Sequence, residues 1–153
     1  MTNRLRRLLL AFFPRLARPD DAFALRFLEG EEAALYLAMD PRDRLHGVEV
    51  AKRLLEAYPE APPVAVRAAL LHDVGKSLRP YRPLERVLTG LFAPPVPIDP
   101  LRGGVLGAFQ VRRHHPLYGA RMVRDPQLAR LIREHHAPKT EWGRRIHRLD
   151  REF

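Results

Sequence analysis

The sequence contains no cysteine among its 153 residues. Disulfide bonds, a thiolate nucleophile and a zinc site with thiolate ligands are therefore excluded, and the absence is compatible with a cytoplasmic protein. Any bound metal must be held by histidine, aspartate or glutamate, and seven histidines are a generous supply for this length. With 46% hydrophobic and 29% charged residues the composition is that of a folded chain, so a wholly disordered protein is also excluded.

Long apolar runs are missing as well. A transmembrane helix needs about twenty apolar residues, whereas the run nearest the N-terminus covers only residues 8–13 and is closed by Pro14. This run is too short for a secretory signal, and no small-x-small cleavage site follows it before Arg15 and Arg18. Residues 1–16 are expected to form a short helix that packs on the domain or lies on a membrane surface. A cytoplasmic location is expected.

Lysine is scarce, with three of the 27 basic residues, and against 18 acidic residues the net charge is +9. Residues 1–18 contain five arginines and no acid, and residues 101–149 contain eleven bases and three acids. The segment between them, residues 19–100, has ten bases and thirteen acids. The two basic segments are suited to attract a phosphate, a nucleic acid or an anionic membrane. An arginine-rich solvated surface is the alternative.

Helical periodicity runs through almost the whole chain, so the fold is predicted to be all-α. Asp40 as N-cap and Pro41 at the first helical position predict a helix over 41–58. The segment from Pro63 towards Gly75 is apolar on nearly every face, which is typical of a buried central helix. No segment alternates convincingly at period two, as a half-buried strand would.

Prolines and glycines divide the remaining helices. Residues 21–38 are helical in pattern with a break at Gly30, and Pro116 is predicted to start a helix through Val123. Residues 79–113 form an irregular excursion of the kind that often covers a site. Further helices are predicted over 83–92, 104–112, 126–136 and from Thr140 to Phe153.

Several polar residues fall on helix faces that should be buried. His135 and His136 continue the apolar stripe of Leu131, and Asp150 lies four residues after Ile146. A buried imidazole or carboxylate is costly unless it is paired or binds a metal. Taken alone, each has an ordinary explanation as a hydrogen-bonded core residue. Several such groups facing one core need a common partner.

The order of these residues along the chain is H…HD…H…HH…D, with ALLHDVGK around the central pair and HHPLYGA around the third histidine position. On this pattern residues 42–153 resemble the HD-domain metal-dependent phosphohydrolase superfamily. The resemblance is to the branch with an HDxGK motif and enough ligands for two metals. APKTEWG follows His136 where a GYP tripeptide would stand, so the chain does not resemble the cyclic di-GMP phosphodiesterase branch.

The resemblance implies an HD-domain helical bundle over residues 41–153, preceded by a basic helical extension over residues 1–40. It also implies that one divalent metal is surrounded by His46, His72, Asp73 and Asp150. Asp73 would bridge to a second metal, whose other ligands would be His115, His135 and His136. The two remaining histidines, His114 and His147, are not expected to bind metal, and His147 should face solvent.

Three cations near these positions are candidate phosphate contacts. Lys76 follows Asp73 by three residues and could reach a phosphate oxygen, which makes Asp73 and Lys76 the candidate catalytic residues. The alternative for Lys76 is a cation that only balances a helix C-terminus. Arg112 and Arg113 are further candidates because arginine pairs well with phosphate, although either could be a solvated surface residue.

Hydrolysis of a nucleotide-like phosphomonoester, phosphodiester or phosphoanhydride is the function that the resemblance implies. Two metals would activate water as hydroxide, with iron or manganese expected and magnesium, cobalt or nickel as alternatives. The competing hypothesis is a non-catalytic regulatory or nucleotide-binding module, which would ordinarily have lost some ligands. A nucleic-acid partner is not expected, because aromatic residues do not interleave with the basic ones. A weak membrane contact through the N-terminal arm stays open.

Overall fold

The computed structural model describes residues 3–153, and over that range it contains helices and loops but no strand. The predicted all-α class is confirmed. The α-helices in chain order are α1 (Asn3–Phe12), α2 (Asp21–Ala24), α3 (Gly30–Leu37), α4 (Pro41–Ala57), α5 (Pro63–Leu71), α6 (Pro83–Leu91), α7 (Gly104–Met122), α8 (Pro126–Glu134) and α9 (Glu141–Asp150). Two short 3-10 helices cover Pro14–Leu16 and Val74–Leu78. Within the described range, a helix with the length and apolarity to cross a bilayer is not found.

Three helices begin where capping chemistry places them. The Asp40 carboxylate accepts a hydrogen bond at 2.9 Å from the backbone amide two residues ahead, at the start of α4. Asp125 makes the same 2.9 Å contact at the start of α8, and the Thr140 hydroxyl accepts from the amide three residues ahead at 3.1 Å at the start of α9. Each side chain satisfies an amide that has no partner within its helix.

Helix α5 lies at the centre of the core and packs against α4, α8 and α9. Its residues from Ala68 to Leu71 are all buried, which agrees with its lack of a polar face. At Gly47 of α4, a Cβ would lie 2.7 Å from the carbonyl oxygen of Leu70. The absence of a side chain at Gly47 therefore lets α4 approach α5 closely, one residue after His46.

The segment before α4 shares this core. Ala24, Leu28 and Tyr36 are buried in the same apolar cluster as α5. The Tyr36 hydroxyl donates to Asp21 at 2.8 Å, and Arg44 of α4 makes an ion pair with the same carboxylate at 2.6 Å. The division at residue 40 stays a prediction, but α2 and α3 are packed into the bundle rather than held apart from it.

The predicted break of the 21–38 helix is confirmed, whereas the predicted end of the last helix is wrong. Residues 25–29 are not helical, and Gly30 starts α3 with φ +51°, in the left-handed region that glycine adopts easily. The last helix ends at Asp150 rather than at Phe153.

The predicted helix start at Pro116 is also wrong, because α7 runs through this proline without interruption. A proline inside a helix deprives the carbonyl four residues earlier of its amide donor. That carbonyl belongs to Arg112, and Nδ1 of His115 lies 3.2 Å from its oxygen. A side-chain donor therefore partly replaces the missing backbone bond, and the predicted helices over 104–112 and from Pro116 merge into one.

Candidate metal centre

Five structural elements bring the seven predicted ligands to one end of the bundle. They lie on α4, in the turn after α5, on α7, in the turn after α8, and on the last turn of α9. Within each of two groups, one potential ligand atom per residue lies within 4.8 Å of the others. The groups are His46, His72 and Asp150, and His115, His135 and His136.

Three buried histidines are oriented by their own helices. Nδ1 of His72 donates to the carbonyl of Ala69 at 2.8 Å, and Nδ1 of His135 donates to the carbonyl of Ile132 at 2.6 Å. Nδ1 of His115 faces the carbonyls of Val111 and Arg112 at 3.1 and 3.2 Å. Because a carbonyl oxygen only accepts, these contacts place a proton on Nδ1, so the lone pair of each ring in its neutral form is on Nε2.

The three Nε2 atoms are buried and have no hydrogen-bond partner within the described residues. They converge on the carboxylate of Asp73, at 3.6 Å for His72, 3.1 Å for His115 and 4.0 Å for His135. Leaving a buried polar atom unsatisfied is costly, and lone pairs that face a carboxylate repel it. Cations bound on either side of Asp73 would satisfy these atoms, so the donor set fits divalent metals.

The group made by His46, His72 and Asp150 has a different electrostatic character. Oδ1 of Asp150 lies 2.6 Å from Nε2 of His46 and 3.6 Å from Nε2 of His72. Burial disfavours a charged His72, but the carboxylates of Asp73 and Asp150 outweigh it and raise the pKa of His72 to about 9. Two carboxylates here therefore favour a positive charge between them, which is a proton on His72 or a metal ion.

The other group favours neutral rings. Burial is the main cause that lowers the pKa of His115 and His135, and the neighbouring imidazoles lower that of His135 further. Partial desolvation and His115 lower the pKa of the more exposed His136 to about 4. Neutral imidazole is the form that binds metal, so these three rings need to lose no proton at pH 7.

Asp73 lies between the two groups. Its Oδ2 accepts a hydrogen bond from Nζ of Lys76 at 2.6 Å, while its Oδ1 faces His115. Burial alone would raise the pKa of the Asp73 carboxyl, but the charges of Lys76 and His72 hold it well below its usual range. The carboxylate is therefore ionised and presents oxygens to both groups.

A family comparison agrees with this arrangement. A family model described as HD domain matches residues 45–152, which include all seven predicted ligands. The chain belongs to the HD domain family. It is thereby a member of the superfamily of metal-dependent phosphohydrolases, as the sequence pattern predicted. No curated protein and no solved structure matches the chain significantly.

The HD motif depends on a glycine two residues after its aspartate. A Cβ at Gly75 would overlap the His115 carbonyl and lie 2.7 Å from the backbone nitrogen of Gly119. The 3-10 helix that contains Gly75 can therefore pack directly on α7. This close approach places Asp73 beside Nε2 of His115.

A cleft of about 910 Å³ opens over the HD residues. Among the predicted site residues, Lys76 and Arg112 line it, whereas Arg113 is exposed and does not. Arg112 makes no ion pair with the described residues, so its guanidinium is available to a ligand. The basic residues of the cleft wall are Arg6, Arg42, Lys76, Arg86, Arg112 and Arg151.

Sequence reasoning missed three residues of the HD-domain cleft region. Asp43 is buried one helical turn before His46, 3.4 Å from Arg86 and 3.9 Å from Lys76. The Tyr81 ring lies 5.3 Å from the Arg86 guanidinium, and its buried hydroxyl lacks a partner among the described residues. Only Asp43 could have been found from the sequence, because its three-residue spacing from His46 places both on the same face of the predicted helix.

The two histidines that were not expected to bind metal have other partners. Nε2 of His114 contacts the carbonyl oxygen of Val96 at 2.9 Å. His147 is half-buried rather than solvent-facing, and its Nδ1 contacts the carbonyl oxygen of His135 at 2.6 Å. The prediction of its exposure is wrong because α9 packs against the end of α8, and His147 thereby supports the backbone of a candidate ligand.

Proposed function

We propose that this HD-domain protein hydrolyses a phosphate ester or anhydride of a nucleotide-like molecule with two divalent metal ions. The observation that carries the proposal is the convergence of three unpartnered Nε2 atoms on the Asp73 carboxylate, beside the second group of His46, His72 and Asp150. Such a constellation is costly for a protein that binds no cation.

The donor set supports an ion with a preference for nitrogen and oxygen ligands. His115, His135 and His136 would hold one ion, and the group of His46, His72 and Asp150 would hold the other, with Asp73 between them. Imidazole-rich sites favour iron and manganese over magnesium, while cobalt and nickel are alternatives. Bound metals of this kind lower the pKa of water and stabilise charge on a phosphoryl group.

The chain's own residues would hold and orient the phosphate. With neutral imidazoles and two aspartates, a site that holds two divalent ions has a net positive charge and favours an anion. The Lys76 ammonium fixes Oδ2 of Asp73 at 2.6 Å and leaves Oδ1 towards the histidines. Lys76 is thereby a positioning residue for the central carboxylate, and it lies on the cleft wall within reach of a phosphate oxygen.

Arg112 is the best-placed side chain to bind a substrate anion. It lies in the cleft wall, exposed, and forms no ion pair with described residues. Most other guanidiniums of the wall are already engaged; Arg42 pairs with Asp40 at 2.7 Å and Arg6 with Glu49 at 2.5 Å. A free arginine fork matches the oxygens of a phosphate.

A metal-supplemented substrate screen tests the proposal. The full chain is assayed with manganese or iron against nucleotides, cyclic dinucleotides, dinucleoside polyphosphates and an aryl phosphodiester. Turnover of at least one class is expected, and Asp73→Ala is expected to abolish it while the helical circular dichroism persists. Arg112→Ala should chiefly raise KM, whereas Arg113→Ala, outside the cleft, should change neither KM nor kcat.

Two results would contradict the proposal. Turnover that survives in Asp73→Ala would remove the central carboxylate from the reaction. Stable binding of metal and nucleotide without turnover of any substrate class would favour the non-catalytic module instead.

A further inference from the structure

Exposed apolar side chains are concentrated on two segments of the surface. Ten of the 17 large hydrophobic residues that are exposed in the described range belong to residues 5–16 and 84–92. The most exposed of the ten have between 52% and 74% of their surface accessible. These six side chains, named here the apolar rim, are Phe12, Phe13, Leu16, Leu84, Leu91 and Phe92.

The two segments are neighbours at the mouth of the HD-domain cleft. Helices α1 and α6 are in contact. Arg6 and Leu10 of α1 and Val87 and Leu91 of α6 line the same cleft. The two segments that contain the apolar rim therefore border the cleft, and Leu91 of the rim lines it directly.

The two segments contain many more basic than acidic residues. Residues 1–18 contain five arginines and no acid, and residues 79–98 contain three arginines and one acid, Glu85. Glu85 is 6% exposed and accepts two hydrogen bonds from Arg79, at 2.7 and 2.9 Å. The carboxylate is thus buried and neutralised, so neither segment offers an exposed acidic side chain in the described range.

We propose that the apolar rim docks on an anionic lipid bilayer. Exposed leucine and phenylalanine side chains insert at the boundary between headgroups and acyl chains, and neighbouring arginines are attracted to anionic headgroups. A second copy of this chain fits less well, because two identical arginine-rich faces would repel each other. Nucleic acid would satisfy the arginines but would leave the leucines without an apolar partner. Docking would set the mouth of the cleft against the headgroups.

Vesicle sedimentation tests the proposal on the full chain. Large unilamellar vesicles of phosphatidylcholine with about 30% phosphatidylglycerol are compared with vesicles of phosphatidylcholine alone. Binding is expected to the anionic vesicles, at least tenfold weaker to the neutral ones, and weakened by salt. The double variant Leu91→Asp with Phe92→Asp should lose at least tenfold in partitioning to anionic vesicles.

A matched control comes from another exposed leucine. Leu37 on α3 is 49% exposed and lies outside the two segments, so Leu37→Asp should bind anionic vesicles like the unchanged protein. Circular dichroism and thermal melting verify that each variant is folded. This readout requires neither metal nor turnover, so its failure would not affect the proposed hydrolysis.

Three outcomes would overturn membrane docking. The first is no binding of the unchanged protein to anionic vesicles at low salt. The second is an equal loss in Leu37→Asp and in the double variant. The third is a concentration-dependent dimer in light scattering that the double variant abolishes, which would assign the apolar rim to self-association.

Discussion

Oδ1 of Asp73 lies 3.1 Å from Nε2 of His115, although both atoms are hydrogen-bond acceptors. The tautomer of His115 follows from its Nδ1, which faces two carbonyl oxygens of its own helix. Two acceptors at this distance in a buried site need a cation beside them. The contact is therefore the most direct structural sign of metal binding in this HD domain.

Metal content should depend on His115 but not on its neighbour. The unchanged protein is expected to hold about two ions per chain after reconstitution, and His115→Ala about one, because it removes a ligand from the group with His135 and His136. His114→Ala is the matched control, since His114 contacts Val96 instead. Elemental analysis after dialysis measures the stoichiometry. Equal metal content in the two variants would refute the assignment of His115.

Replacement of Pro116 should raise the free energy of unfolding and lower the metal affinity. Pro116→Ala restores an amide donor to the Arg112 carbonyl, so the free energy of unfolding should rise by about 1–3 kcal/mol. The same amide competes with Nδ1 of His115 for that carbonyl and loosens the ring, so metal affinity should fall by up to about tenfold. Urea unfolding of the metal-free protein and metal titration measure the two effects. Unchanged metal affinity would show that the Val111 carbonyl alone orients His115.

Gly75 should not tolerate a side chain. Gly75→Ala would force its Cβ against the backbone of α7, and we expect a loss of about 3 kcal/mol or more in the free energy of unfolding. Gly90 on α6 is the control, because a Cβ there meets no atom within 4 Å. Gly90→Ala should stabilise the fold by about 0.5–1 kcal/mol through helix propensity. Similar stabilities of the two variants would contradict the close packing of the HD turn on α7.

The Glu85 carboxylate should stabilise the fold in a pH-dependent way. Hydrogen bonds from Arg79 lower the pKa of Glu85 to about 2 from its ordinary 4.5. Because the folded pKa is the lower one, the contribution is complete above pH 4.5 and is lost as the pH falls through about 2. Glu85→Gln should therefore cost about 1–2 kcal/mol at pH 7 and less than half of that at pH 3.

Urea unfolding at the two pH values tests this dependence. Glu56→Gln serves as control, because the Glu56 side chain is 69% exposed and its replacement should leave the free energy of unfolding nearly unchanged. A cost for Glu85→Gln that is the same at pH 3 and pH 7 would mean that packing, rather than ionisation, makes the residue important.

Local chemistry made much of the fold predictable. Asp40, Asp125 and Thr140 cap their own helices, and these contacts span only two or three residues, so the sequence contains them entirely. The candidate ligands were predictable as a set because their order along the chain matches a family pattern. Apolar periodicity correctly predicted the burial of His135. His136, which it also placed on the buried stripe, is exposed because it follows the end of α8, and Asp150 is half-buried.

The errors arose where distant or competing contacts decide the structure. Pro116 has the sequence features of a helix start, because the sequence does not reveal that His115 contacts the Arg112 carbonyl. Asp43 and Arg86 meet across 43 positions, and no local pattern indicates such a pair. The half-buried position of His147 depends on how α9 packs against α8, which periodicity within α9 does not determine.

The contact between His46 and Asp150 joins residues 104 positions apart. His46 is therefore synthesised long before Asp150, and the group that both form with His72 is incomplete until Asp150 has been added. The second group is complete in sequence once His136 has been made. The group of His46, His72 and Asp150 therefore forms only when α9 packs against α4, whereas His115, His135 and His136 all precede α9 in the chain.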